Sequence, residues 1–218
     1  MKYSINRSEK MFLLLASIFI ALLVVSNIIA SKIIMVGNLI GPAAVLCYAL
    51  TFAISDTIAE IWGKERTKYV VTLGFLASVI SAIMIKIAIL MPPAPFWQNQ
   101  QEYKLILGSN IRIVIASMLA YLTSQYHDVW AFHFWKKLTN EKHLWIRNNL
   151  STLVSQMIDT IIFIVVAFYG TGTPLMSIII GQYTIKLIIA ICDTPLVYIL
   201  VNFVKRYINF EGKYKVTS

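Results

Sequence analysis

Six long apolar stretches run through the 218 residues of this chain, and nine charged residues lie within them or at their margins: Lys32, Asp56, Glu60, Lys86, Arg112, Asp128, Asp159, Lys186 and Asp193. That pairing constrains the fold more than any other feature. A helix needs about 20 apolar residues to cross the hydrocarbon of a bilayer. A charge held at that depth is costly unless it faces a partner, water or a ligand. The chain therefore reads as a membrane protein with a polar interior.

Composition agrees. Hydrophobic residues are 58% of the chain and charged residues only 13%, against about a quarter charged in soluble domains. The mean hydropathy is +0.73. The expectation is an all-α membrane protein of one domain, residues 1–218, with six transmembrane helices at about 11–35, 39–62, 69–91, 111–134, 149–169 and 175–204. The basic start before the first run also fits a signal peptide, but five further spans favour a retained first helix. The segment after the third run opens with Pro-Pro-Ala-Pro-Phe-Trp, an interfacial turn that sets Phe96 and Trp97 near the headgroups.

The net charge of +9 could suggest nucleic acid, but the placement of the charge argues for lipid. The N-terminus carries Lys2, Arg7 and Lys10, and the second-to-third loop carries Lys64, Arg66 and Lys68. The fourth-to-fifth loop carries Lys136, Lys137, Lys142 and Arg147, and the C-terminal tail carries Lys205, Arg206, Lys213 and Lys215. These 14 of the 19 basic residues fall on one side of a six-span chain. By the positive-inside rule both termini are then cytoplasmic, and anionic headgroups are the partner of the basic loops. Cys47 and Cys192 both lie in apolar runs and read as packing residues.

Polar residues recur at helical spacing inside the spans. Asn148, Thr152, Ser155 and Asp159 share a sector of about 60° on the fifth, with Asn149 and Gln156 on an adjoining strip. Such a face belongs toward protein, water or a ligand rather than lipid. The fourth span carries Ser-Gln-Tyr-His-Asp-Val-Trp-Ala-Phe from Ser124, and the fifth carries Ser-Gln-Met-Ile-Asp-Thr-Ile-Ile-Phe from Ser155, an offset of 31 residues. Gln125, Asp128, Gln156 and Asp159 thus occupy matched positions, as in transporters whose site lies between repeats. Asp56 and Glu60 are four apart in the second span, and Glu60 sits close enough to its end to reach Lys64 and Arg66. Tyr183, Lys186 and Asp193 share a face of the sixth. Ser26, Asn27, Ala30 and Ser31 close the first with small or polar pairs suited to helix contact.

No phosphate-binding loop, zinc motif or paired cysteines occur, and His127, His133 and His143 lack partners at metal-like spacing, so they read as interfacial histidines. An enzyme is not expected, nor any cofactor or metal. The residues suit a small planar polar ligand. Carboxylates accept from ring N–H and exocyclic amine groups, carboxamides serve carbonyls and ring nitrogens, and Phe52, Tyr121, Phe132, Phe163 or Tyr183 could stack on the ring.

One resemblance gathers these residues. The stretch R-I-V-I-A-S-M-L-A-Y-L-T-S-Q-Y-H-D-V from Arg112 is followed by F-x-F-W-K-K, W-I-R-N-N-L-S-T-L-V-S-Q-M-I-D-T and F-I-V-V-A-F. This block resembles the queuosine precursor transporter family, also called the vitamin uptake transporter family. Ser26-Asn27, A-I-S-D-T-I-A-E-I-W-G from Ala53 and Y-T-I-K from Tyr183 fit as well. The resemblance implies a six-helix inner-membrane importer of 7-deazaguanine bases such as preQ0, preQ1 or queuine, salvaged for queuosine in tRNA. It carries over Asn27, Asp56, Arg112, Gln125, Asp128, Asn149, Gln156, Asp159 and Lys186 as substrate-binding positions, to which the polar face adds Ser155. Before Lys186 the chain reads Gly181-Gln182-Tyr183, where some members have an acidic residue ahead of the tyrosine. The competing expectation is a substrate-binding membrane subunit of an ATP-driven vitamin importer.

Overall fold

The computed structural model describes residues 6–138 and 144–209. They are mostly helical: α1 (Arg7–Ile29), α2 (Val45–Trp62), α3 (Lys64–Leu90), α4 (Gln100–Leu107), α5 (Asn110–Leu138), α6 (Leu144–Phe168) and α7 (Leu175–Asn209). One antiparallel hairpin, β1 (Ile33–Val36) and β2 (Leu39–Pro42), joins α1 to α2.

The hairpin cuts back the spans expected at 11–35 and 39–62, while the described residues stay mostly helical. Helix stops at Ile29 and resumes at Val45. The intervening chain is rich in β-branched and large apolar residues around Gly37-Asn38, a two-residue turn. Gly37 takes φ +59° there, a left-handed value that glycine adopts without strain. The register pairs Ile33 with Pro42 and Val36 with Leu39, and Ala43 N–H adds one more bond, to the Lys32 carbonyl at 2.8 Å. An apolar run of this kind satisfies periodicity for either helix or strand, and the turn decides.

Among the described residues, three stretches are long and apolar enough to cross a membrane: Arg7–Ile29, Lys64–Leu90 and Gln100–Ser124. The two halves of α7, Leu175–Ala190 and Pro195–Ile208, would make a fourth if counted as one span, bent by 47°. Pro195 removes a backbone donor and crowds the preceding turn, which accounts for the bend. In α6 the apolar part is the shorter Leu153–Phe168. Leu13, Leu14, Ile18 and Val25 of α1 and Leu76, Ile80, Ile83, Met84 and Ile87 of α3 are exposed, as suits lipid-facing side chains. Lys86 is exposed among them, and its long stem allows the ammonium to snorkel toward the interface.

The chain divides into two compact units. The first holds α1, α2, α3 through Ser81 and α7 from Lys186; the second holds Ala30–Ala43, Ala82–Leu90, α4, α5, α6 and α7 through Ile185.

In the first unit, α1 opens with a reciprocal cap: Glu9 N–H donates to Asn6 Oδ1 at 2.7 Å and Asn6 N–H to Glu9 Oε2 at 3.3 Å. Met11, Leu15, Ala16 and Phe19 then pack with Ile54 and Ile58 of α2, Val70 of α3 and Val204 of α7. Phe12 meets Trp62 edge to face at 5.5 Å, and Trp62 Nε1–H donates to Ser8 Oγ at 3.0 Å. Arg66 lies 5.3 Å over the Phe12 ring, and Arg7 lies 5.6 Å over Tyr207.

In the second unit, Trp97 N–H bonds the Ala94 carbonyl at 2.9 Å, making the turn expected at 92–97, and Phe96 is exposed. Helix α4 follows. Gln100 Nε2 reaches back to the Ile89 carbonyl at 3.0 Å, satisfying an end group of α3. Helices α5 and α6 form the most extensive helix pair among the described residues.

Candidate functional site

The α5–α6 seam is the polar region of the second unit. Ser155 is buried on α6, and its hydroxyl meets His127 Nδ1 of α5 at 3.0 Å. Gln156 and Asp159 are half-buried on the same helix. Thr160, wholly buried, donates to its own helix at the Gln156 carbonyl, 2.8 Å away. The side chains of Gln125, Asp128, Phe132 and Asn149 lie outside the described residues. His127 belongs to this seam, whereas the sequence suggested an interfacial histidine. Its neighbour Asp128 and its place within the matched nonapeptide were the available signals.

The matched serines perform different tasks. Ser155 reaches across to α5, while Ser124 Oγ donates within its own helix to the Tyr121 carbonyl at 3.0 Å. The two nonapeptides are therefore not equivalent in their bonding.

Arg112 is engaged at the far end of the same helix pair. Its Nε–H donates to the Val166 carbonyl and its Nη2–H to the Tyr169 carbonyl, both at 2.6 Å. These carbonyls lie at the end of α6, where the last turn lacks intrahelical donors and carries the negative end of the helix dipole. The guanidinium holds α6 to α5. The family resemblance had implied a substrate-binding position here.

The first turns of α7 complete the second unit. Gly181 lies against β2 so closely that an added Cβ would overlap the Ile40 carbonyl oxygen. On the facing strand, a Cβ at Gly41 would sit 3.8 Å from the Cα and Cβ of Gln182. Tyr183 Oη donates to the Leu153 carbonyl of α6 at 3.3 Å. This hydroxyl is occupied by backbone, and Phe163 is buried beside Phe168, 6.3 Å away edge to face. Of the proposed stacking partners in this unit, Tyr121 and Tyr183 are half-buried.

The other expected positions fall in the first unit. Asn27 is buried and donates from Nδ2 to Ser78 Oγ of α3 and to the Leu23 carbonyl, both at 3.1 Å. Ser78 in turn donates to the Gly74 carbonyl at 2.9 Å. This is the helix contact that small and polar pairs in α1 implied. Lys186 is buried and Asp56 is exposed. Glu60 meets Lys205 of α7 at 3.5 Å rather than Lys64 or Arg66.

Comparison with known proteins adds what geometry does not. A "Probable queuosine precursor transporter" of Bacillus subtilis (strain 168) is 29% identical over 178 residues, covering 80% of this chain and 78% of that protein. A protein of the same name from Haemophilus influenzae is 25% identical over 132 residues, 61% of this chain and 54% of its own length. No solved structure matches. The family model described as "Putative vitamin uptake transporter" matches residues 42–200, well over half the chain and including all of α2, α5 and α6. This chain belongs to that family, whose members are membrane transporters rather than enzymes.

Proposed function

We propose that this chain imports 7-deazaguanine bases, the precursors of queuosine, across the inner (plasma) membrane by alternating access. Family membership, with both relatives named for queuosine precursors, carries the reading. The polar α5–α6 seam supports it, because a ligand of this kind needs donors and acceptors inside an apolar helix bundle. Asp128 and Asp159 accept from the exocyclic amine and the five-membered-ring N–H. Gln125, Asn149, Ser155 and Gln156 serve the remaining edges, and Tyr121 stacks on the ring. Arg112 sets the ends of the two helices that carry these groups. Asn27, Asp56 and Lys186 serve the transport cycle from the first unit. The chain crosses the membrane six times with both termini in the cytoplasm, a topology supported by the one-sided placement of the basic loops.

The test is rescue. The chain is expressed in a bacterial strain that neither makes nor imports queuosine precursors but keeps the later enzymes. Each of preQ0 and preQ1 is supplied at low concentration and tRNA is assayed for queuosine. A queuine trial needs a host with an enzyme that inserts it. Restored modification that depends on this chain establishes import and ranks the bases. No rescue, with the protein present in the membrane, moves the substrate to another vitamin or base. Replacement of Asp159 by Asn is expected to abolish rescue without loss of protein.

A further inference from the structure

Among the described residues, buried polar side chains are engaged with two departures: Asn110, whose Oδ1 alone is unmet, and Gln182. Ser26, Thr51, Thr57, Ser78, Ser124 and Thr160 each donate to a carbonyl of their own helix. Asn27 and Ser155 reach across to another helix. Gln182 is different. It is wholly buried, at 0% exposure, and neither its Nε2 nor its Oε1 has a hydrogen-bond partner. A primary amide brings two donors and an acceptor with two lone pairs. Burying all of them unmet is among the costliest arrangements for a neutral side chain, so such a group in a native fold calls for an explanation.

The surroundings fix where this amide sits. Gly181 abuts the Ile40 backbone of β2 with no room for a side chain, and Gly41 lies against the Cα and Cβ of Gln182. The next residue, Tyr183, is bonded to the Leu153 carbonyl of α6. One turn of α7 is therefore held by the hairpin and by the helix that carries Ser155. A polar group whose stem is immobilised and whose head is unmet is preorganised for a ligand.

We infer that Gln182 reads a cyclic-amide edge of the transported molecule, its Oε1 accepting from the ring N–H and its Nε2 donating to the adjacent carbonyl. The inference rests on the reading of the chain as a base importer and names one contact of that site. A carboxamide is the neutral complement of a lactam, donor opposite acceptor and acceptor opposite donor. The same side-by-side pairing underlies bidentate recognition of base edges by Gln and Asn. A lactam-bearing heterocycle meets both amide atoms at once. A carboxylate or a simple amine meets only one.

Binding to the purified full chain in lipid nanodiscs tests this, with preQ1 and its N1-methyl derivative as probes and thermal unfolding as the second readout. The wild type is expected to bind preQ1 and to disfavour the methylated base, which has lost the ring N–H. In Gln182→Leu, preQ1 affinity falls by about tenfold or more, the scale of a lost hydrogen-bonded pair. Discrimination against the methylated base disappears, and the unliganded protein melts no lower than the wild type because an unmet amide has been removed. Gln182→Met, closer in shape, should behave alike. Unchanged affinity and unchanged discrimination in both variants overturn the inference. So does a lower melting temperature of both unliganded variants, or their failure to fold, since the amide would then be satisfied by the protein itself. Failure of the wild type to bind any of preQ1, preQ0 and queuine is a separate result: it overturns the functional reading and takes the inference with it.

Discussion

Two close helix contacts, one in each unit, are built on glycine and differ in what the glycine faces. At Gly74 in α3, an added Cβ would meet Leu23 Cδ2 of α1 at 2.7 Å and Phe19 Cε1 at 3.5 Å. Both atoms are the ends of side chains that can rotate. At Gly181 in α7, the added Cβ would overlap the main chain of β2 at Ile40, which can move only if the strand moves. The polar groups beside them differ in the same sense. Asn27 and Ser78 bond each other beside Gly74, so that contact is complete in itself. Beside Gly181 stands Gln182, unmet. The first contact holds helices together, and the second also aims a functional group.

The largest expected effect breaks the second contact. Gly181→Ala must push β2 off α7, at a cost of about 3 kcal/mol or more, and transport should be lost with it. Gly74→Ala should cost about 1 kcal/mol, absorbed by a new Leu23 rotamer. Thermal unfolding in detergent and uptake, measured together for both variants, decide the matter. Equal losses at the two sites would mean that β2 yields as readily as a leucine side chain.

Arg112 comes next. Replacement by Gln removes two charge-assisted bonds to the end of α6 and should cost about 2–3 kcal/mol. Arg112→Lys should recover less than half of that, because an ammonium cannot span both carbonyls as the planar fork does. Full recovery by Lys would show that charge near the helix end, rather than the two-point clamp, is what matters. Asn27→Ala should cost about 1 kcal/mol, since Ser78 keeps its bond to the Gly74 carbonyl. Uptake is expected to fall further than this loss of stability accounts for, and uptake that falls only in step with stability would confine Asn27 to helix contact.

Much of this arrangement was legible in the chain. Apolar length marked the helices, and the spacing of Ser155, Gln156 and Asp159 marked the polar face of α6, because a 3.6-residue period is imposed locally. The contact made by Asn27 was legible for the same reason. The hairpin was not, since Ile33–Val36 is short and apolar enough for either helix or strand. Arg112 was singled out, but its partners are backbone carbonyls 54 and 57 residues away, and backbone leaves no mark in side-chain spacing. Gly181-Gln182-Tyr183 stood out as a departure from a family pattern. Its meaning depends on β2 and α6 closing around it, which is a tertiary fact.

The smallest effect is expected at Glu60 and Lys205, and it separates two kinds of charge in this protein. The pair is 3.5 Å apart, with the side chains 60% and 50% exposed. Charges so open to solvent interact through a high effective dielectric and must also order two flexible chains, so such pairs contribute about 0.5 kcal/mol or less. Glu60→Gln should therefore shift unfolding by no more than that, less still in high salt, and leave uptake unchanged. The contrast with Arg112 is one of environment. Arg112 spends its charge on carbonyls at a helix end, where removal leaves acceptors unmet, while Glu60 gives up a partner that water replaces. If Glu60→Gln stopped uptake while stability held, Glu60 would belong with Asp159 among the charges the transport cycle uses. Its pairing with Lys205 would then be one state of that cycle rather than a surface contact.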